Sequence, residues 1–163
     1  MTFTDYVLHQ LREMKRELLF AIDDVAQEDL FSFQPMNHWP VGWIAEHCTE
    51  VADKLLHKSV TGDYLHDYPE QVANWTQREP EPDDTYPTPD EIARRWADLC
   101  DWIVAHVEHG GIDALDASAG KAPYVQNVLL AVNHTNSHLR SLWCILGERR
   151  VDHKWEEQKN YLA

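Results

Sequence analysis

Two histidines stand four residues apart in Val132-Asn133-His134-Thr135-Asn136-Ser137-His138-Leu139, inside a long apolar-periodic run without Pro or Gly. On a helix of about 3.6 residues per turn, an i, i+4 pair is offset by about 40° and one turn of rise. Both imidazoles therefore leave the same face, and such a pair can supply two nitrogen ligands of one divalent metal. A third ligand must come from elsewhere. The best candidate is His47, in Trp43-Ile44-Ala45-Glu46-His47-Cys48. The chain has ten histidines, so a pair at this spacing also arises by chance. Spacing alone leaves open both a metal centre and a pair on a polar or half-buried face.

Three neutral imidazoles would leave a divalent ion its full charge and open positions for water or substrate. Zinc and nickel both suit such a set. The ion could lower the pKa of a bound water or thiol and so create a nucleophile near neutral pH. A peptidase of the His-Glu-x-x-His type is excluded, because Thr135 follows His134 where that chemistry needs a glutamate base. A serine hydrolase built on Ser137 lacks a nucleophile elbow. Glu46, Glu50 and Asp53 are the nearest acids to a candidate ligand, and the pattern places Glu46, Glu50, Asp53 and Lys54 on a polar face. No residue is singled out as catalytic.

The elements that must position these histidines read as four amphipathic helices. The first spans about Thr4 to Gln27, with Val7, Leu11, Met14, Leu18, Ile22 and Val25 recurring at threes and fours. Pro40 suits the first position of a second helix from about Val41 to Val60, ended near Gly62. Its expected inward stripe is Ile44, His47, Cys48, Val51 and Leu55, with Lys58 as a candidate next member. Thr88-Pro89-Asp90-Glu91 forms a capping box with Pro at N1, opening a third helix that Gly110-Gly111 should stop after His109. Its last-turn His106 and His109 read as surface residues. A fourth helix is expected from near Pro123 to Leu146, stopped by Gly147, with Asn127, Leu130, His134, His138, Ser141 and Ile145 inward.

Residues 62–88 separate the second and third helices and mix aromatic with acidic and proline residues. A stretch this long inside a compact domain suits a crossover in a bundle. Its tyrosines and Trp75 read as anchors to the bundle and its acids as solvated surface. The expected architecture is an all-α four-helix bundle, up-down-down-up, with that long crossover between helices 2 and 3. One domain over 1–163 is expected, its core at about 4–147 and a charged tail at 148–163.

Net charge is −14, which argues against nucleic acid and anionic membranes as partners, since phosphates need a basic surface. No apolar run reaches the length of a membrane span. The N-terminus lacks a basic region followed by an apolar block. Cys48, Cys100 and Cys144 are isolated and read as small core residues, not as a disulfide framework or a thiolate site. A cytoplasmic protein is the expectation. Seven tryptophans, of which Trp102, Trp143 and Trp155 fit no inward stripe, suggest a homodimer.

The order of parts resembles the DinB-like (DinB/YfiT) superfamily of four-helix bundles. The resemblance rests on the early amphipathic helix, on Trp39-Pro40-Val41-Gly42-Trp43-Ile44-Ala45-Glu46-His47, and on Asn133-His134-Thr135-Asn136-Ser137-His138 before a helix ending at Gly147. It covers about residues 4–150. It implies that His47, His134 and His138 bind one divalent metal, zinc or nickel, and that the protein dimerises. It also implies a metal-dependent transferase or isomerase using a low-molecular-weight thiol. The alternative is a non-enzymatic metal-binding or protein-interaction bundle. Ser137 and Leu139-Arg140-Ser141-Leu142 stand where relatives often carry a second histidine and a Gly-Gln pair, which leaves the substrate open.

Overall fold

A computed structural model describes residues 2–23, 40–68, 87–116 and 124–149, with side chains described as far as 110 and 143 in the last two stretches. Among the described residues the protein is all-helical, without a strand. Helix α1 is Phe3–Ile22. Helix α2 has three consecutive parts: α-helical Val41–Ala52, a π-helical turn Asp53–Lys58, and a last α-helical turn Ser59–Thr61. Helix α3 is Pro89–Asp116 and α4 is Tyr124–Arg149.

Local chemistry accounts for the helix starts. Thr2 caps α1: its hydroxyl accepts the Asp5 N–H at 3.1 Å while its own N–H donates to the Asp5 carboxylate at 2.7 Å. Thr88 does the same for α3, accepting from the Glu91 N–H at 3.2 Å and donating its N–H to Glu91 at 2.7 Å. These reciprocal bonds satisfy N–H groups that have no partner within the helix. The expected role of Pro40 is corrected by one position: it is the N-cap of α2, not its first helical residue. Gly62 ends α2 with φ +95°, a left-handed conformation that glycine adopts without strain.

Two expected stops are not stops. Helix α3 runs through Gly110-Gly111 to Asp116, and α4 runs through Gly147 to Arg149. Glycine costs a helix only about 1 kcal/mol relative to alanine. It ends one only where the chain turns left-handed, as at Gly62. The expected extension of α1 beyond Asp23 lies outside the described residues, as do Trp75, Tyr86, Trp155 and the rest of 69–86 and 150–163.

The core is the meeting of four apolar stripes. Leu11, Met14 and Leu18 of α1 are fully buried against Ile92, Trp96, Leu99 and Ile103 of α3 and Leu142 of α4. Pairs along the helices fix their register. Lys15 bonds Asp101 at 2.6 Å, Arg12 pairs with Glu108, and the Trp96 indole N–H donates to the Lys15 carbonyl at 3.1 Å. The Phe20 and Trp143 rings lie 5.6 Å apart. The Tyr124 hydroxyl donates to the Leu56 carbonyl at 2.8 Å, tying the start of α4 to the π turn.

The inward face of α4 differs from the expected one. Tyr124, Val128, Ala131, Val132, Thr135, Leu139 and Leu142 are buried, whereas Leu130 is 55% exposed. The histidines are half-buried at the flank of this face. The helix has turned its Val, Ala and Leu residues inward because burying imidazoles at the centre would strip them of water.

The cap and the core should separate in their energetic effects. Thr88→Ala is expected to cost about 1 kcal/mol. Leu99→Ala, which empties a fully buried site, should cost about 2–5 kcal/mol. Urea unfolding followed by circular dichroism checks both; equal shifts in midpoint would contradict this ranking.

Candidate metal centre

Helices α2 and α4 bring together the three histidines singled out by spacing. The Nε2 atoms of His47 and His134 are 3.1 Å apart. Ring centroids are 4.9 Å apart for His47–His134, 5.1 Å for His47–His138 and 4.6 Å for His134–His138. One nitrogen from each ring can be chosen so that all lie within 4.8 Å of one another, close enough to hold a metal ion. Two nitrogens bonded at about 2.0–2.1 Å to one ion, at angles between octahedral and tetrahedral, stand roughly 2.9–3.4 Å apart. The 3.1 Å separation falls in that range. A hydrogen bond between two imidazoles would also fit it, but would give no reason for the third ring to converge.

Burial tunes these rings toward ligand chemistry. It lowers the pKa of His47 to about 4, with further lowering from His134 and His138, since protons on neighbouring rings repel. Burial also lowers His134, with His138 adding to it, and burial lowers His138. All three favour the neutral form, which has a lone pair to offer. The Nδ1 of His134 is buried and has no hydrogen-bond partner among the described residues.

The acids near the ligands are where sequence reasoning failed. Glu46 and Asp53 were expected on a polar face, yet both are fully buried. Helix α2 is covered on nearly every side, with Val41 to Cys48 buried apart from half-buried His47. Glu46 turns away to α3 and accepts from Arg95 at 2.8 Å. Burial pushes its carboxyl up to about 7, against the opposing pull of Arg95. Its other oxygen has no partner among the described residues, so one contact does not offset the lost hydration. Asp53 accepts from Leu65, His66 and Tyr68. The available signal was the seven-residue spacing of Glu46 and Asp53, which puts them on one helical face with Thr49 between.

Other expectations hold. His106 and His109 are exposed, each bonded through Nδ1 to a carbonyl one turn back. Cys48 and Cys100 are buried free thiols pushed above the ordinary range by burial, while the side chain of Cys144 lies outside the described residues. Trp102 and Trp143 are only half-buried. No helix among the described residues is long and apolar enough to cross a membrane. A cavity of about 460 Å³ lies between the end of α1 and the start of α3, lined by Leu19, Phe20, Ala93 and neighbours, and none of the three histidines lines it.

A family model described as the DinB superfamily matches residues 10–142, a span that includes all three histidines. The chain belongs to the DinB superfamily. Searches of curated proteins and of solved structures returned no match. Membership and the three-histidine group together make this DinB protein one whose residues fit a divalent metal.

The depressed pKa of His47 sets a pH dependence for the metal-free protein. Unfolded, a histidine takes up its proton near 6.5; here His47 does so only near 4. Stability from holding it neutral is complete above 6.5 and is lost as pH falls toward 4. Glu46, raised from 4.5 to about 7, works in the opposite sense over the overlapping interval between those two values, its contribution falling as pH rises. In chelator-treated protein, His47→Gln should therefore lose stability less steeply than wild type between pH 6.5 and 4. Urea unfolding at several pH values measures this, and parallel slopes would show that folding does not hold His47 neutral.

Proposed function

We propose that the protein is a divalent-metal-dependent enzyme of the DinB type, with His47, His134 and His138 as the ligands of one zinc or nickel ion. Its reaction is a transfer or isomerisation that uses a low-molecular-weight thiol. The observation that carries this reading is the convergence of three neutral imidazoles from two helices within 4.8 Å. When bound, a divalent ion supplies Lewis acidity that lowers the pKa of a coordinated water or thiol. The chain's own part is positional. Helix α4 presents His134 and His138 one turn apart, and α2 presents His47 against them. Three neutral ligands do not cancel the ion's charge, which suits the capture of an anionic sulfur. Leu130, exposed one turn before His134, offers an apolar surface to the rest of a substrate.

An up-down-down-up bundle is part of the same reading. Its support is the pairing of low with high numbers between α1 and α3 (Arg12–Glu108, Lys15–Asp101). Between α2 and α3 the pairs instead rise together, Glu46–Arg95 and then His57–Trp102. A homodimer in the cytoplasm is also proposed. The exposed Phe3, Tyr6, Leu129 and Leu130 support self-association, and equally a second reading as a non-enzymatic metal-binding or interaction bundle.

Metal analysis of tag-free protein tests the site. One zinc or nickel per chain is expected, lost in His134→Ala and kept in His106→Ala. Equal binding by both variants would refute the ligand assignment. Titrating the nickel-loaded protein with a small thiol then tests the reaction class. Thiolate-to-metal charge-transfer absorption is expected, and its absence with the metal retained would favour the non-enzymatic reading.

A further inference from the structure

Immediately after α2, residues 62–68 cross from α2 to α3 without forming a helix. They are held by side chains. The Asp53 carboxylate accepts the Leu65 N–H at 3.0 and 3.1 Å, the His66 N–H at 3.3 Å and the Tyr68 hydroxyl at 2.9 Å. His57, one turn on, donates from Nδ1 to the Asp63 carbonyl at 2.9 Å. The His66 ring donates from Nε2 to the Arg95 carbonyl on α3 at 3.1 Å. The Lys58 ammonium lies 4.0 Å over the Tyr64 ring. The anchors Asp53, His57 and Lys58 all belong to the π-helical turn of α2, a rare conformation that is frequent at functional positions.

This crossing runs beside the Glu46–Arg95 pair, meeting α3 at the Arg95 carbonyl. His66 is bonded to the backbone carbonyl of Arg95, and the Tyr68 hydroxyl reaches both Asp53 and, at 3.5 Å, the carbonyl of Thr49. Tyr68 feels the charges of Glu46 and Arg95. A segment so placed is consistent with the full burial of the Glu46 side chain, which turns from α2 toward α3. At the other end Gly62 is the turning point: its φ is +95°, nothing lies within 4 Å of where a Cβ would be, and its N–H is bonded back to the Lys58 carbonyl at 2.9 Å.

We propose that residues 62–68 are a strap that opens and closes as a unit about Gly62, with the Asp53 carboxylate as its catch, and that closure keeps the Glu46–Arg95 pair out of water. Three donors converge on one acceptor-only group, so the catch is specific to a carboxylate. An asparagine of the same shape would turn an NH₂ toward the donors. Because side chains rather than a backbone ladder hold the strap, one substitution can release it while the bundle stays folded. Opening would expose an acid on the helix that carries His47 together with its guanidinium partner on α3, and so give polar solutes a second approach to α2.

Hydrogen exchange of Asp53→Asn, Tyr68→Phe and the control Asp101→Asn, with metal-free protein, tests this. In Asp53→Asn the Leu65 and His66 amides should exchange about tenfold or more faster, with core amides of α3 such as Leu99 unchanged. Tyr68→Phe, which removes one donor, should give a smaller increase, and Asp101→Asn none. Phenylglyoxal labelling reads the covered pair: Arg95 should react faster in Asp53→Asn, with exposed Arg94 as the internal reference. If Asp53→Asn does not fold, Tyr68→Phe alone decides, and wild-type exchange at Leu65 and His66 in that variant overturns the proposal. Equal acceleration of strap and core amides also overturns it, since that is global unfolding. So does strap opening without faster labelling of Arg95.

Discussion

A helix buried on nearly all sides cannot leave its polar side chains to water, and the first part of α2, Val41 to Thr49, is such a helix. Its buried polar side chains turn for partners to other elements or to their own backbone, the second oxygen of Glu46 being left over. Glu46 takes Arg95 of α3, His47 meets His134 and His138 of α4, and Thr49 bonds back to the Ala45 carbonyl at 2.9 Å. Asp53 and His57 take the start of the crossover. The polar contacts that relate α2 to the rest of the chain follow from this one constraint. The three-histidine group is one of several solutions to the same problem, and the one with room for an ion.

Much of this was legible in the sequence where a local rule decides. The capping box at Thr88 needs only four residues, and the α1 stripe needs only periodicity; the first stands as read and the second does from Val7 to Ile22, Val25 lying outside the described residues. Reading failed where the answer depends on what packs against a helix. Glu46 and Asp53 look solvated because they are acids, yet α3 and the crossover cover them. Leu130 looks inward because it is a leucine on the histidine side, yet Val128, Ala131 and Val132 win the core. The π turn has no sequence signature that period counting would show. Gly110-Gly111 and Gly147 misled because glycine permits a helix to end without requiring it.

The histidine triad was found despite the error about the α4 face. The i, i+4 rule concerns the two side chains relative to each other and holds at any rotation of the helix. Their position at the flank, and not the centre, of the buried face has its own logic. A fully interior site would have no approach for a ligand. A fully exposed one would leave the rings at their ordinary pKa, and protons would compete for the lone pairs near neutrality. Half-burial lowers all three pKa values while keeping an edge toward solvent.

The bond from Tyr124 to the Leu56 carbonyl acts as a length gauge. It is a fixed point between α2 and α4, and from it the chain counts nine residues back to His47 and ten forward to His134. At about 1.5 Å per residue the α4 arm measures roughly 15 Å; the α2 arm, whose last residues lie in the π turn, is a little shorter, and the far ends meet at the histidine group. Residues added or removed within either arm would shift a ring by about 1.5 Å and swing it by about 100° for each residue. The separation of Leu56 from His47, and of Tyr124 from His134, is therefore as much a part of the site as the histidines, although no residue inside either arm touches an ion.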